Sequence, residues 1–203
     1  TTAAVLGAAL RAERIDIFKD VPGVYTADPR IVPDAVMLRR VTYREVVELA
    51  HSGAKVVHPR AVEIAMEGRI PLRILPADGS APGTLITDAA GEGSVFELDR
   101  VVTGVAHVPS RVQFRLPALD KAGVGKKTLA LFSALGAGKI SVDMIDVSDS
   151  GIGFIVAAAD RRKTERLLQE EDVPYTVRDG VAKVSVVGAG MHGVPGVMAR
   201  VVR

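Results

Sequence analysis

A short apolar run that breaks into a polar loop, between residues 15 and 30, constrains the fold more than any other feature. The run contains Ile15, Ile17 and Phe18, and a Pro22-Gly23 turn follows it. This pattern is typical of a buried strand that opens into a loop. Open α/β sheets bind ligands beyond the carboxyl ends of their strands. The stretch therefore predicts an α/β fold with a candidate site in this loop.

The loop carries two side chains suited to a nucleotide. Tyr25 can lie against a base, and the guanidinium of Arg30 can hold phosphate oxygens with two parallel donors. An ordinary loop with a solvated arginine is equally consistent with these residues, because Pro-Gly turns are common. Both interpretations stay open at this point.

Length and composition limit the class of protein. A chain of 203 residues is long for one small domain and indicates two units. Its apolar runs are short and interrupted by charges, which argues against a membrane span. With 26 basic and 24 acidic residues it lacks the charge expected of a nucleic-acid-binding protein. The absence of cysteine excludes disulfides and thiolate sites, and makes the cytoplasm the expected location.

The first half alternates helical and strand patterns. Thr42 with Glu45 forms a capping-box pattern, and Pro59 suits the first position of a helix that His58 precedes as a structural or capping group. We expect helices over 3–12, 42–52 and 59–67 and strands over 15–18 and 70–75. A passage rich in Gly, Pro, Ala and Asp, over 76–94, is the expected domain boundary.

The second half follows the split βαβ plan of ferredoxin-like domains. We expect strands over 101–108, 112–116, 140–147, 153–158 and 175–177, helices over 127–135 and 160–171, and a loop over 120–125. Residues 184–202 repeat the pattern of 112–135, which indicates an internal repeat.

Four segments then carry a resemblance to a known family. They are DVPGVYTADPR over 20–30, GAKVVHPRAV over 53–62, ISVDMI over 140–145, and KVSVVG over 183–188 followed by Gly190-Met191. In these segments the chain resembles aspartokinase, the amino-acid kinase that phosphorylates the side-chain carboxylate of aspartate.

The resemblance implies an α/β fold in four parts. Residues 1–90 would be the C-terminal part of a three-layer αβα amino-acid-kinase domain, and 91–108 a linker. Residues 109–180 would form a first ferredoxin-like (βαββαβ) ACT domain, and 181–203 the start of a second. Paired ACT domains bind amino-acid effectors and associate between chains, so we expect a homodimer or hetero-oligomer.

The resemblance also implies a nucleotide site that takes ATP with Mg²⁺ as its substrate complex. Its expected residues are Lys19, Asp20, Tyr25, Arg30, Lys55 and Val56, and no resident metal is expected. Phosphoryl transfer depends mostly on positioning and on neutralising charge, which these cations can supply. The family usually has Thr where Lys19 stands.

A second implied site holds lysine or threonine as effector, with Asp120, Gly123, Val124, Ile140, Asp143, Met144, Gly190 and Met191 as its residues. Backbone donors at a helix start can hold the effector carboxylate, and Asp120 or Asp143 can meet its ammonium. Alternatively, Asp120 caps a helix and Asp143 is a surface residue. Residues 121–123 read Lys-Ala-Gly, where the family usually has Pro-Gly.

The implied activity is ATP-dependent aspartate phosphorylation, the first step of lysine, threonine and methionine biosynthesis, with feedback regulation. The family's Lys-Phe-Gly-Gly-Thr-Ser motif, with the catalytic lysine, is absent, and so is the Gly-Ser-Asp that precedes the residues equivalent to Thr1-Thr2. We therefore expect a truncated chain that does not catalyse the reaction alone. The alternatives are a non-catalytic regulatory subunit that binds lysine or threonine, and an unrelated ferredoxin-like module.

Overall fold

The computed structural model describes residues 1–88, 101–119, 125–191 and 194–202. It divides into two compact units, one formed by Thr1–His107 with Val184–Arg203 and the other by Val108–Lys183. Each unit has its own cluster of buried apolar side chains. Within the described residues, no helix is long and apolar enough to cross a membrane.

The first unit is built on a mixed four-stranded sheet. Its elements are α1 (Thr2–Ala9), β1 (Ile15–Lys19), β2 (Arg40–Thr42), α2 (Tyr43–His51), α3 (Pro59–Glu67), β3 (Leu72–Pro76) and β4 (Thr84–Thr87). The strand order is β1-β3-β4-β2. β1 runs parallel to β3, and β3 runs antiparallel to β4. The carboxyl ends of β1 and β3 therefore meet at one edge, where the loop after β1 begins.

Local signals explain where α2 and α3 begin. The Thr42 hydroxyl accepts from the Glu45 N–H, while the Glu45 carboxylate accepts from the Thr42 N–H, which completes the predicted capping box. Pro59 opens α3, and Nδ1 of His58 accepts from the Arg60 N–H at 3.2 Å. The structural interpretation of His58 is therefore confirmed.

The second unit has the ferredoxin-like arrangement. Its elements are β5 (Gly104–Leu116), α4 (Lys126–Ala137), β6 (Asp143–Ser148), β7 (Gly151–Ala157), α5 (Arg161–Glu170) and β8 (Thr176–Val187), and β5 and β8 also contribute residues to the first unit. The sheet order is β6-β7-β5-β8, which is the order of a βαββαβ domain. A 3₁₀ turn, Ala189–Met191, and helix α6 (Val197–Val201) follow. The predicted α/β fold class, with a ferredoxin-like domain in the second half of the chain, is confirmed.

Aromatic rings fill the core of the second unit. Phe114 on β5 stacks on Phe154 of β7 with ring centroids 5.6 Å apart, and Phe132 meets Phe154 edge-on at 6.0 Å. Tyr175 packs on Phe114 at 5.7 Å. Such pairs add to the stability gained from burying the rings.

Two pairs of predicted strands are each one continuous strand. The strands expected over 101–108 and 112–116 are wrong as separate elements, because β5 runs through Ser110, whose φ is 56°. The strand expected over 175–177 is likewise joined to the start of the expected repeat at residue 184, because both belong to β8, which runs through Gly180 at φ 64°. In both cases a local distortion of the backbone accommodates the irregular residues without ending the strand.

Other boundaries differ as well. The first helix ends at Ala9, shortly before Arg11 takes a φ of 48°. Residues 104–107 belong to β5, where a linker was expected up to residue 108. Val184–Arg203 cluster with the first unit, and the start of a second ACT domain over 181–203 stays a prediction. The predicted loop over 120–125 lies outside the described residues except for Gly125.

Candidate nucleotide and effector sites

The loop after β1 is held by one buried hydroxyl that the sequence did not indicate. Thr84, on β4, is 1% exposed. Its Oγ1 accepts from the Val24 N–H at 2.9 Å and donates to the Leu38 carbonyl at 2.6 Å. A Cβ at Gly23 would lie 2.5 Å from this oxygen, so glycine permits the close approach. Glycine at position 23 is therefore a packing requirement of the loop.

The base of this loop is also paired along its backbone. Thr26 donates its N–H to the Val36 carbonyl at 2.9 Å, and its Oγ1 accepts from the Val36 N–H at 3.0 Å. Tyr25 forms an antiparallel bridge with Met37. These contacts fix the half-buried Tyr25 next to the tip that carries Arg30.

At the tip, Arg30 is paired within the loop. Its Nε and one terminal nitrogen donate to the two carboxylate oxygens of Asp28, at 3.0 and 2.7 Å. The Arg30 N–H adds a third bond to the same carboxylate at 3.0 Å. These bonds lower the pKa of Asp28 to about 2. The Arg30 side chain is nevertheless 85% exposed. A phosphate that binds Arg30 must therefore compete with Asp28.

The other predicted nucleotide residues fall in two places. Lys19 ends β1, opposite Pro76 of β3, and Asp20 follows it as an exposed residue. Both precede the loop of Tyr25 and Arg30, so four predicted residues lie on one continuous segment. Lys55 and Val56 lie on the separate connection between α2 and α3. Lys55 is exposed, and Val56 packs partly against the core of the first unit.

In the second unit, Asp143 forms an ion pair that the sequence did not predict. Lys183 Nζ donates to Asp143 Oδ2 at 2.5 Å, and the Met144 N–H donates to Oδ1 at 2.8 Å. The bond from Lys183 is the main reason that the pKa of Asp143 is lowered, and the charge of Arg111 adds to it. The Asp143 carboxylate is therefore already paired with the ammonium group of Lys183.

The remaining predicted effector residues differ in accessibility. Ile140 is 5% exposed and packs in the core of the second unit, so only its backbone is available to a ligand. Met144 is 57% exposed, with a φ of 48°. Gly190 and Met191 lie in the Ala189–Met191 turn. Asp120, Gly123 and Val124 lie outside the described residues.

A cluster around Glu45 was visible in the sequence only as a capping box. Oε2 accepts from the Thr42 N–H at 2.9 Å and from the Thr42 hydroxyl at 2.7 Å, while Oε1 accepts from the Thr103 hydroxyl. Burial alone would raise the pKa of Glu45, but the hydrogen bonds from Thr103 and Thr42 outweigh burial and lower it.

An apolar groove of about 580 Å³ lies in the first unit. Seven valines and one arginine line it: Val101, Val102, Val105, Val184, Val186, Val197, Val201 and Arg200. With a single cation, this lining is not the chemistry of a phosphate site. Among the described residues, no group of three or more acidic or histidine side chains is arranged to hold a metal ion. No step through Mg²⁺ is therefore assigned to these residues.

Comparison with known proteins first defines the class. Residues 1–76 match the model of the amino acid kinase family. The chain superimposes on E. coli aspartokinase III in complex with aspartate and ADP with a TM-score of 0.79 and 30% identity, covering 98% of this chain and 45% of that one. The lysine and aspartate complex of the same enzyme gives 0.74 and 31%, covering 92% and 42%. The first unit thus contains part of an amino acid kinase domain.

A protein of similar sequence identifies the family within this class. Aspartokinase 1 of Bacillus subtilis (strain 168) is 45% identical over 205 residues, which is 100% of this chain and 50% of that protein. The chain therefore belongs to the aspartokinase family, and it spans about half the length of this relative. The resemblance in the four sequence segments is confirmed.

Proposed function

We propose that this chain is part of an aspartate kinase, which transfers a phosphoryl group from ATP to the side-chain carboxylate of L-aspartate. The observation that carries the proposal is the 45% identity to Aspartokinase 1 over the whole chain. The chain spans about half the length of the relatives it matches, so the complete activity is proposed for the protein that includes it. Its location in the cytoplasm stays a prediction from the sequence.

Within that activity, the loop after β1 would bind the nucleotide. The E. coli neighbour was solved with aspartate and ADP, which supports a nucleotide site in the shared fold. Tyr25 would lie against the base, Arg30 would exchange Asp28 for phosphate oxygens, and Lys19 and Lys55 would add positive charge. Asp20 and Val56 would complete the lining. The role of these residues is to position the phosphates and offset their charge, and Mg²⁺ would arrive with the ATP.

Feedback regulation would act through the second unit and the Ala189–Met191 turn. The E. coli enzyme was also solved with lysine and aspartate, which supports an amino-acid effector. The carboxylate of Asp143 would bind the ammonium group of lysine or threonine in place of the Lys183 side chain. Asp120, Gly123, Val124, Ile140 and Met144 would be further contacts of this site, and Gly190 and Met191 would be the matching contacts of a second ACT unit. A dimer through the ACT domains would accompany effector binding.

A nucleotide titration of the purified chain tests the loop directly. We expect Arg30→Ala to weaken ADP binding at least about fivefold, since it removes two donors to a charged group. Arg60→Ala is the matched control, because Arg60 is also exposed and paired with a nearby carboxylate, that of Glu63, but lies on α3. Equal losses in the two variants would contradict the assignment of the loop.

An activity assay tests the remainder of the proposal. The chain is incubated with ATP, Mg²⁺, aspartate and hydroxylamine, and aspartyl hydroxamate is measured. We expect no product from the chain alone, and product when the other half of an aspartokinase is supplied as a separate chain. If activity is restored only by a complete aspartokinase chain, the regulatory-subunit alternative is correct. Rapid product formation by the chain alone would contradict the expectation that the catalytic residues lie elsewhere.

A further inference from the structure

Thr26 lies in the loop after β1, between the two side chains that would hold opposite ends of a nucleotide. Tyr25, the proposed contact of the base, directly precedes it, and Arg30, the proposed contact of the phosphates, follows beyond Pro29. One ligand can touch both side chains only if the backbone between them has a fixed conformation. The contacts of Thr26 therefore bear on nucleotide binding.

Thr26 is hydrogen-bonded to two other segments of the first unit. Its N–H donates to the Val36 carbonyl at 2.9 Å, and its Oγ1 accepts from the Val36 N–H at 3.0 Å. The Thr26 carbonyl accepts from the N–H of Val105, near the start of β5, at 2.7 Å. The loop is thus fastened at one residue by three hydrogen bonds.

The segment that holds the Thr26 carbonyl rests on the core. A Cβ at Gly104 would lie 3.0 Å from the Thr26 carbonyl oxygen and 3.3 Å from Cδ2 of Leu49. Leu49 lies on α2 and is 2% exposed. Gly104 therefore fits closely between Thr26 and a buried side chain, so the Thr26 carbonyl has a rigid support.

Only one of the three bonds depends on the side chain of Thr26. Any residue at this position could make the two bonds of its backbone, whereas the bond from the Val36 N–H requires a side-chain acceptor. The neighbours of Thr26 have supports of their own: Tyr25 forms its bridge with Met37, and Arg30 is paired with Asp28. Loss of the hydroxyl should therefore loosen the relation between the two side chains more than either side chain itself.

We propose that Thr26 is a positioning residue for the nucleotide, whose hydrogen bonds set the separation of Tyr25 and Arg30 to one that an adenosine phosphate spans. This inference rests on the proposed nucleotide role of the loop. Thr26 itself does not touch the nucleotide. A ligand that bridges both side chains needs the fixed separation, and a ligand that reaches only one of them does not.

NMR titrations of the full chain with ADP, adenosine and pyrophosphate test this difference. In Thr26→Val we expect ADP to bind about fivefold more weakly, because ADP must then order the loop itself. Adenosine and pyrophosphate each reach one end of the loop, so we expect their affinities to stay within about twofold. Thr26→Ser keeps the acceptor oxygen and should restore the affinity for ADP.

Thr164→Val is the matched control. Thr164 is 0% exposed, and its Oγ1 donates to the Asp160 carbonyl at 2.9 Å on α5 of the second unit. This variant also loses a hydroxyl bond but should bind ADP as the unmodified chain does. Three results would each overturn the inference: unchanged ADP affinity in Thr26→Val, equal losses for ADP and adenosine, or the same loss in Thr26→Ser as in Thr26→Val.

A second variant keeps the test decisive if Thr26→Val does not fold. Gly104→Ala leaves the Thr26 hydroxyl in place and displaces the Thr26 carbonyl from the other side, since its Cβ would be only 3.0 Å away. We expect about threefold weaker binding of ADP, because one hydrogen bond is strained, and unchanged binding of adenosine. Unchanged ADP affinity in Gly104→Ala would overturn the inference.

The same titrations separate this inference from the proposal on which it rests. If Arg30→Ala weakens ADP binding and the Thr26 and Gly104 variants do not, the nucleotide loop stands and the positioning role of Thr26 is overturned. If the unmodified chain binds no ADP, the nucleotide loop and the positioning role are both overturned. Aspartate kinase activity is tested separately by the hydroxamate assay.

Discussion

Thr84 gives the sharpest test of how the loop after β1 is held. In Thr84→Val a methyl group replaces the hydroxyl with little change of shape, in a side chain that is 1% exposed. The Val24 N–H and the Leu38 carbonyl then lose their bonds to Oγ1 while the two residues remain buried. Each unsatisfied buried group costs about 1–3 kcal/mol, and burying an extra methyl returns about 1 kcal/mol. We expect a net loss of about 3 kcal/mol in the free energy of unfolding.

Urea unfolding at neutral pH measures this loss, with Thr84→Ser as the matched control. Serine keeps both hydrogen bonds and loses only a methyl group, which costs about 1 kcal/mol. The expected order of stability is therefore threonine, then serine, then valine, although valine is the most apolar of the three. If Thr84→Val is as stable as Thr84→Ser, the hydroxyl does not hold the loop and the reasoning is wrong.

Three further predictions concern other single contacts. The Asp28 carboxylate should titrate near pH 2, so its bond to Arg30 is complete above about pH 4 and is lost as the pH falls through 2. NMR titration should show its pKa returning towards 3.8 in Arg30→Ala, and an unchanged value would contradict the pairing. Lys183→Met should raise the pKa of Asp143, because the bond from Lys183 is what keeps this pKa below its ordinary value. The same variant should lower the free energy of unfolding by about 1 kcal/mol at pH 7, since a partly exposed ion pair contributes about that much to stability. If the Lys183→Met variant has unchanged stability and an unchanged pKa of Asp143, this prediction is wrong. Gly151→Ala should cost about 2 kcal/mol or more by urea unfolding, since φ is 150° and a Cβ would lie 2.1 Å from the Leu116 carbonyl oxygen; tolerance of alanine would contradict this backbone geometry.

The starts of α2 and α3 could be predicted from the sequence, because the residues that determine them act within one helical turn. The capping box of Thr42 and Glu45 involves residues three apart, and Pro59 acts on its own helix, so both helix starts were predicted. The ferredoxin-like order was predicted for a related reason, since it depends on the order of apolar periods along the chain.

The continuity of strands β5 and β8 could not be predicted from the sequence. A glycine or a proline within a run of alternating residues normally indicates a turn, yet Pro109 lies inside β5 and Gly180 inside β8. Whether a strand ends there depends on its hydrogen-bonded neighbours, which are distant in sequence.

The candidate sites were predicted as segments but not as contacts. The sequence predicted Arg30 in the loop after the first strand and Asp143 in a strand, but it did not predict the bonds of Arg30 to Asp28 or of Asp143 to Lys183. The Thr103 hydroxyl reaches Glu45 across 58 residues of chain, and Thr84 reaches Val24 across 60. Such pairs require the tertiary fold, because the same residue types would be equally plausible when solvated.

The continuity of β8 restricts how this protein can change in evolution. Thr176–Lys183 belong to the second unit and Val184–Val187 to the first, on one unbroken strand. Because side chains alternate along a strand, one inserted or deleted residue would reverse the facing of every side chain on one side of the change. Lys183 would then turn away from Asp143, or Val187, 4% exposed, would leave its core. Natural relatives should therefore vary the length of this strand in steps of two residues, unless a local distortion such as the one at Gly180 takes up a single extra residue.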